Sequence, residues 1–324
     1  MVDLVGAVLG VVVLSVVGID VLWTSLSPVS GPGPVTRWWG RLLWIGVGRR
    51  IGDPTSPWWH LLGPAVLVAT VGSWVALLVV GWWLVLGAMG SVVDVVTRSP
   101  VGPGRRLYFV VSAVSTLGLG DVVATTAPGR TVTVLAAVTG LGLVTLAVTY
   151  VLPVLTAVTD RRVVATTISA VGTSAGAIVD SLDDTVSPQP LLDEVGSSLR
   201  LLAQRHRAYP ILHFFHSTDR AAALAPSIAA LDEALAVLGG RAGWNGPPSL
   251  AIRRLRAAVD DLLEVTQPHL ASIVREQTPR APGRVGQVSC RHSLDEHRRQ
   301  LHALVVDDGW SWDGDVLGDG VEGT

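Results

Sequence analysis

Residues 105–130 read RRLYFVVSAVSTLGLGDVVATTAPGR. The apolar run from Leu107 to Ser115 has the composition of a helix, but at 1.5 Å per residue it is far too short for a hydrocarbon core of about 30 Å. It is followed by Thr116-Leu117-Gly118-Leu119-Gly120-Asp121, in which two glycines one residue apart end the helix and permit positive φ. The stretch therefore reads as a half-length helix that dips into a membrane, after which the chain returns extended and re-emerges at the same face. Non-helical backbone at that depth is tolerated only where it is buried in protein or lines a water-filled path. A bent hairpin with two helix-breaking glycines is the plainer alternative, but it gives Asp121 and the extended backbone no purpose.

The flanks supply the membrane. Upstream, LLGPAVLVATVGSWVALLVVGWWLVLGAM (Leu61 to Met89) carries no charge, and Trp82 and Trp83 near its end suit a bilayer boundary. Downstream, TVTVLAAVTGLGLVTLAVTYVLPVLTAV (Thr131 to Val158) is also uncharged and runs into Asp160, Arg161 and Arg162. Near the start, Leu4 to Trp23 has a single charge, Asp20, and the residues before it supply no basic n-region, which predicts a retained membrane helix rather than a cleaved signal. Between the first two spans, VTRWWGRLLWIGVGRRI mixes arginine and tryptophan at helical spacing, as an amphipathic helix on the membrane surface would.

Composition agrees. Of 324 residues, 49% are hydrophobic and 15% charged, where soluble chains carry about 25% charged. All 24 basic residues are arginine, which removes Schiff-base, Walker and general-base lysines. Cys290 stands alone, so no intramolecular disulfide or cysteine cluster can form. A net charge of −2 offers no basic excess for nucleic acid. An HExxH motif is also missing, and an enzyme is not expected.

The string Thr116 to Asp121 resembles the signature TVGYGD of the potassium-channel family with a single pore loop per subunit. Together with the three apolar spans and the helical stripes of the polar half, the resemblance implies an all-α membrane protein: three transmembrane helices, a re-entrant pore helix with a selectivity filter, and an α-helical cytosolic C-terminal domain. It implies K+ sites formed by the carbonyls of Thr116, Leu117, Gly118 and Leu119 with the Thr116 hydroxyl, positive φ at Gly118 and Gly120, and Asp121 at the outer mouth. It also implies a homotetramer in the plasma membrane, with K+ as permeant ion and no cofactor. The sequence departs where the family's usual tyrosine is Leu119. The pore-helix position that donates to that tyrosine in many relatives matches Phe109, so two apolar residues replace a hydrogen bond and packing is expected to stand in for it. Tyr108 is the aromatic expected beside Asp121. The pore-helix dipole would favour a cation in the cavity, and Leu107 to Gly120 has no acid for a carboxylate ring.

Entry of the loop from outside fixes the orientation, which six arginines inside against four outside support weakly. The third span is then the inner helix. Thr145 and Thr149 could face a wet cavity or bond back to their own helix. Gly140 and Gly142 could be a bending point or a close-packing surface, and Pro153 removes a donor near the cytoplasmic end. None of the spans has the arginine row of a voltage sensor.

The expected organisation is a first helix at 1–27, a loop with an interfacial helix at 28–60, and a pore domain at 61–159. Within the pore domain the outer helix covers 61–89, pore helix and filter 105–121, and the inner helix 130–158. A helical cytosolic domain at 160–306 and a disordered acidic tail at 307–324 follow. Helical stripes in the polar half include Leu191, Val195, Leu199 and Leu202. His213 and His216 could begin a metal site, although a packed aromatic cluster explains them better without further ligands. The cytosolic domain's ligand or partner is not legible. The leading reading is a potassium-selective channel; the alternatives are a weakly selective cation channel or a non-conducting membrane-anchored sensor or scaffold.

Overall fold

A computed structural model of the chain describes residues 3–26, 33, 35–38, 59–183, 189–240, 249–277, 289–312 and 316. They fall into two units, one drawn from residues 1–44 and 65–153, the other from 45–64 and 154–324.

The described residues are all-α apart from one short hairpin-like ladder. Among them three helices are long and apolar enough to cross a membrane: α1 (Leu4–Leu26), α2 (Trp59–Met89) and α4 (Ala127–Ser169). Between α2 and α4 lie strand β1 (Val92–Asp94), the 12-residue helix α3 (Pro103–Val114) and strand β2 (Val122–Ala124). The strands pair antiparallel, with Val93 opposite Val123. The ladder ties the chain leaving α2 to the chain leaving the TLGLGD segment. Pro103 opens α3 at the position where its missing N–H costs nothing.

α1 and α2 cross through glycine. A Cβ on Gly10 would lie 2.8 Å from the Gly81 carbonyl, and one on Gly81 would lie 2.7 Å from Leu14. Without water to drive association, such backbone approach is how membrane helices gain contact. The one acid of α1, Asp20, is fully buried. Its Oδ2 accepts from the Trp74 indole at 2.8 Å and the Thr36 hydroxyl at 2.9 Å, and its Oδ1 accepts from the Val35 N–H at 2.7 Å. Residues 35–38 are helical, the start of the expected interfacial helix; the remainder of that segment, 39–51, lies outside the described residues.

α4 is longer than the 130–158 expected. It starts at Ala127, passes Pro153 and the arginines, and ends at Ser169, because no further proline or glycine interrupts it before Gly172. The second unit continues with α5 (Ala175–Asp183), α6 (Gln189–Ala208), 3₁₀ turns at Pro210–Phe214 and Arg220–Ala222, α7 (Leu224–Gly240), α8 (Ser249–Gln277) and α9 (Ser289–Asp307). Its core gathers Ile168, Ile178, Leu199, Ile228, Leu255 and Leu301.

The tail expected to be disordered from Asp307 is ordered in its described part. α9 runs through Asp307, and Trp312 and Val316 join the core. The acids there have partners that composition does not reveal. Asp308 accepts from His216 at 2.9 Å and faces Arg161 at 3.8 Å, while Asp307 faces His213 at 3.5 Å. Burial, aided by the charge of Asp308, pushes Asp307 up to about 6. His213 and His216 are thus spent on carboxylates, and no group of three or more metal-ligating side chains occurs among the described residues.

Candidate functional site

The TLGLGD segment alternates. Thr116 (φ 58°), Gly118 (58°) and Gly120 (81°) have positive φ, while Leu117 and Leu119 between them do not. Backbone that switches hand at every residue turns successive carbonyls to one side, leaving the N–H groups for the other. Glycine was expected at two such positions, and the structure adds a third at Thr116. Positive φ in a β-branched residue is a true outlier, costing on the order of 1–3 kcal/mol, and it persists only where neighbours over-determine it.

Ser112 is the chief neighbour. Its carbonyl accepts from the N–H groups of Leu117 (2.9 Å) and Gly118 (3.3 Å), and its hydroxyl accepts from the Leu119 N–H (3.2 Å). Thr116 N–H bonds to the Ala113 carbonyl at 3.0 Å, and Ser115 N–H to that of Val111 at 2.9 Å. Every amide from Ser115 to Leu119 is therefore strapped to the last turn of α3. The same bonds occupy the terminal carbonyls of α3, so its dipole is partly spent on the loop rather than left open to a cavity.

Ser112 is not legible in the sequence, because a serine near a helix end carries no signature of its own. Phe109 is buried behind the loop, but a cavity of about 200 Å³ remains there, lined among others by Phe109, Ser112, Leu119 and Thr133. Within one chain the backbone bonds to Ser112 hold the loop in front of that space.

The end of the TLGLGD segment is braced by charge. Burial and the neighbouring Asp121 carboxylate push the Tyr108 hydroxyl above its usual range. Arg105, to which no role was given, reaches Asp94 at 2.5 Å and Asp121 at 3.9 Å. Asp94 Oδ1 also accepts from the N–H groups of Thr97 (2.8 Å) and Val96 (2.9 Å). The Thr97 amide, followed by Arg105, holds the Asp94 carboxyl down at about 2. Arg106 lies 4.6 Å over the Trp83 ring, whose indole donates to the Pro103 carbonyl at 3.1 Å, and Trp82 donates to Thr139 at 2.9 Å. Both boundary tryptophans thus serve protein contacts too.

On α4, the residues named from sequence separate. A Cβ on Gly140 would collide with the Val114 carbonyl, so Gly140 is where the end of α3 presses on α4. Gly142 has open space. Thr145 bonds back to the Leu141 carbonyl (3.0 Å) and Thr149 to that of Thr145 (2.9 Å), both on exposed positions. Pro153 lies inside the unbroken helix.

A half-length helix and a strapped loop thus lie between two membrane-length helices. Residues 77–157 match the family model described as "Ion channel". The chain is also 32% identical over 279 residues to the uncharacterized membrane protein YdjJ of Bacillus subtilis (strain 168), covering 84% of this chain and 81% of the relative. No solved structure matches. The chain belongs to the pore-loop ion-channel family and is a membrane protein, a family assignment that points to transport rather than catalysis.

Proposed function

We propose that the chain forms a homotetrameric potassium-selective channel of the plasma membrane, with its polar half in the cytoplasm. In this reading the carbonyls of Thr116, Leu117, Gly118 and Leu119, with the Thr116 hydroxyl, replace the hydration shell of K+. The observation that carries it is the alternation of positive φ at residues 116, 118 and 120 with the amides held back on Ser112 and Ala113. A carbonyl column leaves room for a cation without a carboxylate and supplies fixed dipoles at low dielectric.

Assembly is supported by what one chain leaves bare. Leu117 and Leu119 are 65% and 53% exposed, and Val134, Val138, Leu141, Val148, Leu152 and Leu155 make an exposed stripe along α4. One loop per chain encloses an axis only in several copies, and four is the number the family resemblance implies.

In planar bilayers with K+ on one side and Na+ on the other, the reversal potential is expected to follow the K+ gradient, and Gly118→Ala, which places a side chain at φ 58°, is expected to abolish flux. The unfilled space behind Leu119 favours one second reading, a cation channel of weak selectivity, for which the reversal potential would lie near zero. Flux surviving Gly118→Ala would refute both.

A further inference from the structure

The first unit contains a second cavity, of about 250 Å³, among its three long helices. α1 lines it with Leu14 and Gly18, α2 with Leu78 and Trp82, and α4 with Gly142 and Leu146. The glycines of these helices divide into two kinds. At Gly10, Gly81 and Gly140 an added Cβ would strike a neighbour, so those glycines make contacts. At Gly18 and Gly142 it would meet no atom within 4 Å, and both belong to the cavity wall. The space exists because two side chains are missing from helices that elsewhere use glycine to close up.

Nothing in the wall calls for water. Its polar group, the Thr139 hydroxyl, donates to the Ala136 carbonyl at 3.0 Å and accepts from the Trp82 indole at 2.9 Å. An apolar cavity of about 150 Å³ already stays dry and takes up benzene. This one is larger, and it is walled by helices long and apolar enough to cross a bilayer, with Leu22 in the wall half exposed. Once these helices span a bilayer, the medium at that opening is hydrocarbon.

We propose that this cavity is a lipid site that holds one acyl chain of a membrane phospholipid, seated between Gly18 and Gly142. The site has a route to the loop. Gly142 lies two residues beyond Gly140, where the end of α3 presses on α4, and α3 carries Ser112 and with it the amides of the loop. An occupant lying against Gly142 therefore bears on the stretch of α4 that positions the TLGLGD segment. Occupancy itself does not depend on what the loop conducts.

The test uses the full chain in phosphatidylcholine and phosphatidylglycerol vesicles containing a small fraction of phosphatidylcholine with a mid-chain diazirine. After irradiation, labelled residues are mapped by mass spectrometry. Labels are expected on Leu14 to Leu22 and on Thr139 to Leu146, in addition to outward-facing positions such as Val5 and Val8. Gly18→Leu and Gly142→Leu fill the cavity and should lower the inner labels severalfold relative to those on Val5 and Val8. Gly72→Leu, at a glycine that also has open space but lies outside the cavity, should leave the ratio unchanged. Gly142→Ala, a smaller filler, should give an intermediate ratio if the leucine variants fail to fold. Inner labels that are absent in the native protein, or that persist in the filled variants, would overturn the proposal. So would labels that appear only when the assembly is dissociated, since a second copy would then be the occupant.

Discussion

Replacing Gly140 by alanine, with Gly142→Ala as its partner, separates packing from bending in α4. A new Cβ at 140 would stand 2.8 Å from the Val114 carbonyl carbon and 3.0 Å from its Cγ1, and closer still to the carbonyl oxygen. Carbon to oxygen contacts settle near 3.3–3.6 Å, so the end of α3 must retreat by roughly an ångström. Overpacking of this kind costs about 1–3 kcal/mol. Both variants also gain about 1 kcal/mol from exchanging glycine for alanine within a helix, and this gain cancels in the comparison. Gly142→Ala should therefore be neutral or stabilising, with Gly140→Ala less stable than it by about 1–3 kcal/mol, roughly 5- to 150-fold in the folded ratio. Thermal unfolding of the detergent-purified protein measures the gap, and thallium flux into liposomes measures whether the displaced α3 still supports conduction. If both variants melt together and conduct equally, α3 does not bear on α4 at Gly140 and the packing account is wrong. If Gly142→Ala is the damaging one, bending at 142 is what the helix needs.

Ser112→Ala keeps the carbonyl that serves Leu117 and Gly118 but removes the acceptor of the Leu119 N–H, an unmade bond worth about 1–3 kcal/mol; the K+ to Na+ permeability ratio from reversal potentials should fall, and an unchanged ratio would dismiss Ser112 as a support. Asp20→Leu leaves the Trp74 indole and the Val35 N–H without their acceptor, each at about 1–3 kcal/mol, so a large drop in melting temperature is expected and Asp20→Asn should recover part of it. In the second unit, Asp232 and then Asp260, whose carboxylates face His297 at 3.5 and 2.6 Å, raise it to about 9. A cation gained on folding stabilises fully below its ordinary 6.5, and that contribution fades as pH climbs through about 9. The melting temperature of native protein should thus fall between pH 7 and 10 by more than that of His297→Ala.

The three long helices and the interruption between the last two are legible because hydropathy and length decide them, whatever the rest of the chain does. The TLGLGD loop is legible for the same reason: glycine spacing maps directly onto backbone hand. What sequence could not reveal is which groups answer one another across distance. Ser112 and Arg105 are ordinary residues until the fold sets one under three amides and the other between two carboxylates. Asp20 looks like a stray charge near a helix end, and its partners Trp74 and Thr36 are set by how α1 and α2 cross. The acids at Asp307 and Asp308 misled by composition, since their histidine and arginine partners sit about ninety or more residues upstream. Gly140 and Gly142 look alike in the string LAAVTGLGL and differ only in what stands opposite them.

Asp20 also constrains how the protein can be made. A lone acid at the centre of an inserting helix is penalised by about 2.5–3.5 kcal/mol, less toward the helix end. α1 emerges from the ribosome some fifty residues before Trp74, the donor that later quiets its carboxylate. During that interval the carboxylate has no indole to accept from, and the apolar residues of α1 alone must offset its penalty. They do so, at about −0.3 to −0.6 kcal/mol for each Leu, Ile and Val, so α1 can enter the bilayer first and the second hydrophobic stretch then brings the donor that settles its carboxylate.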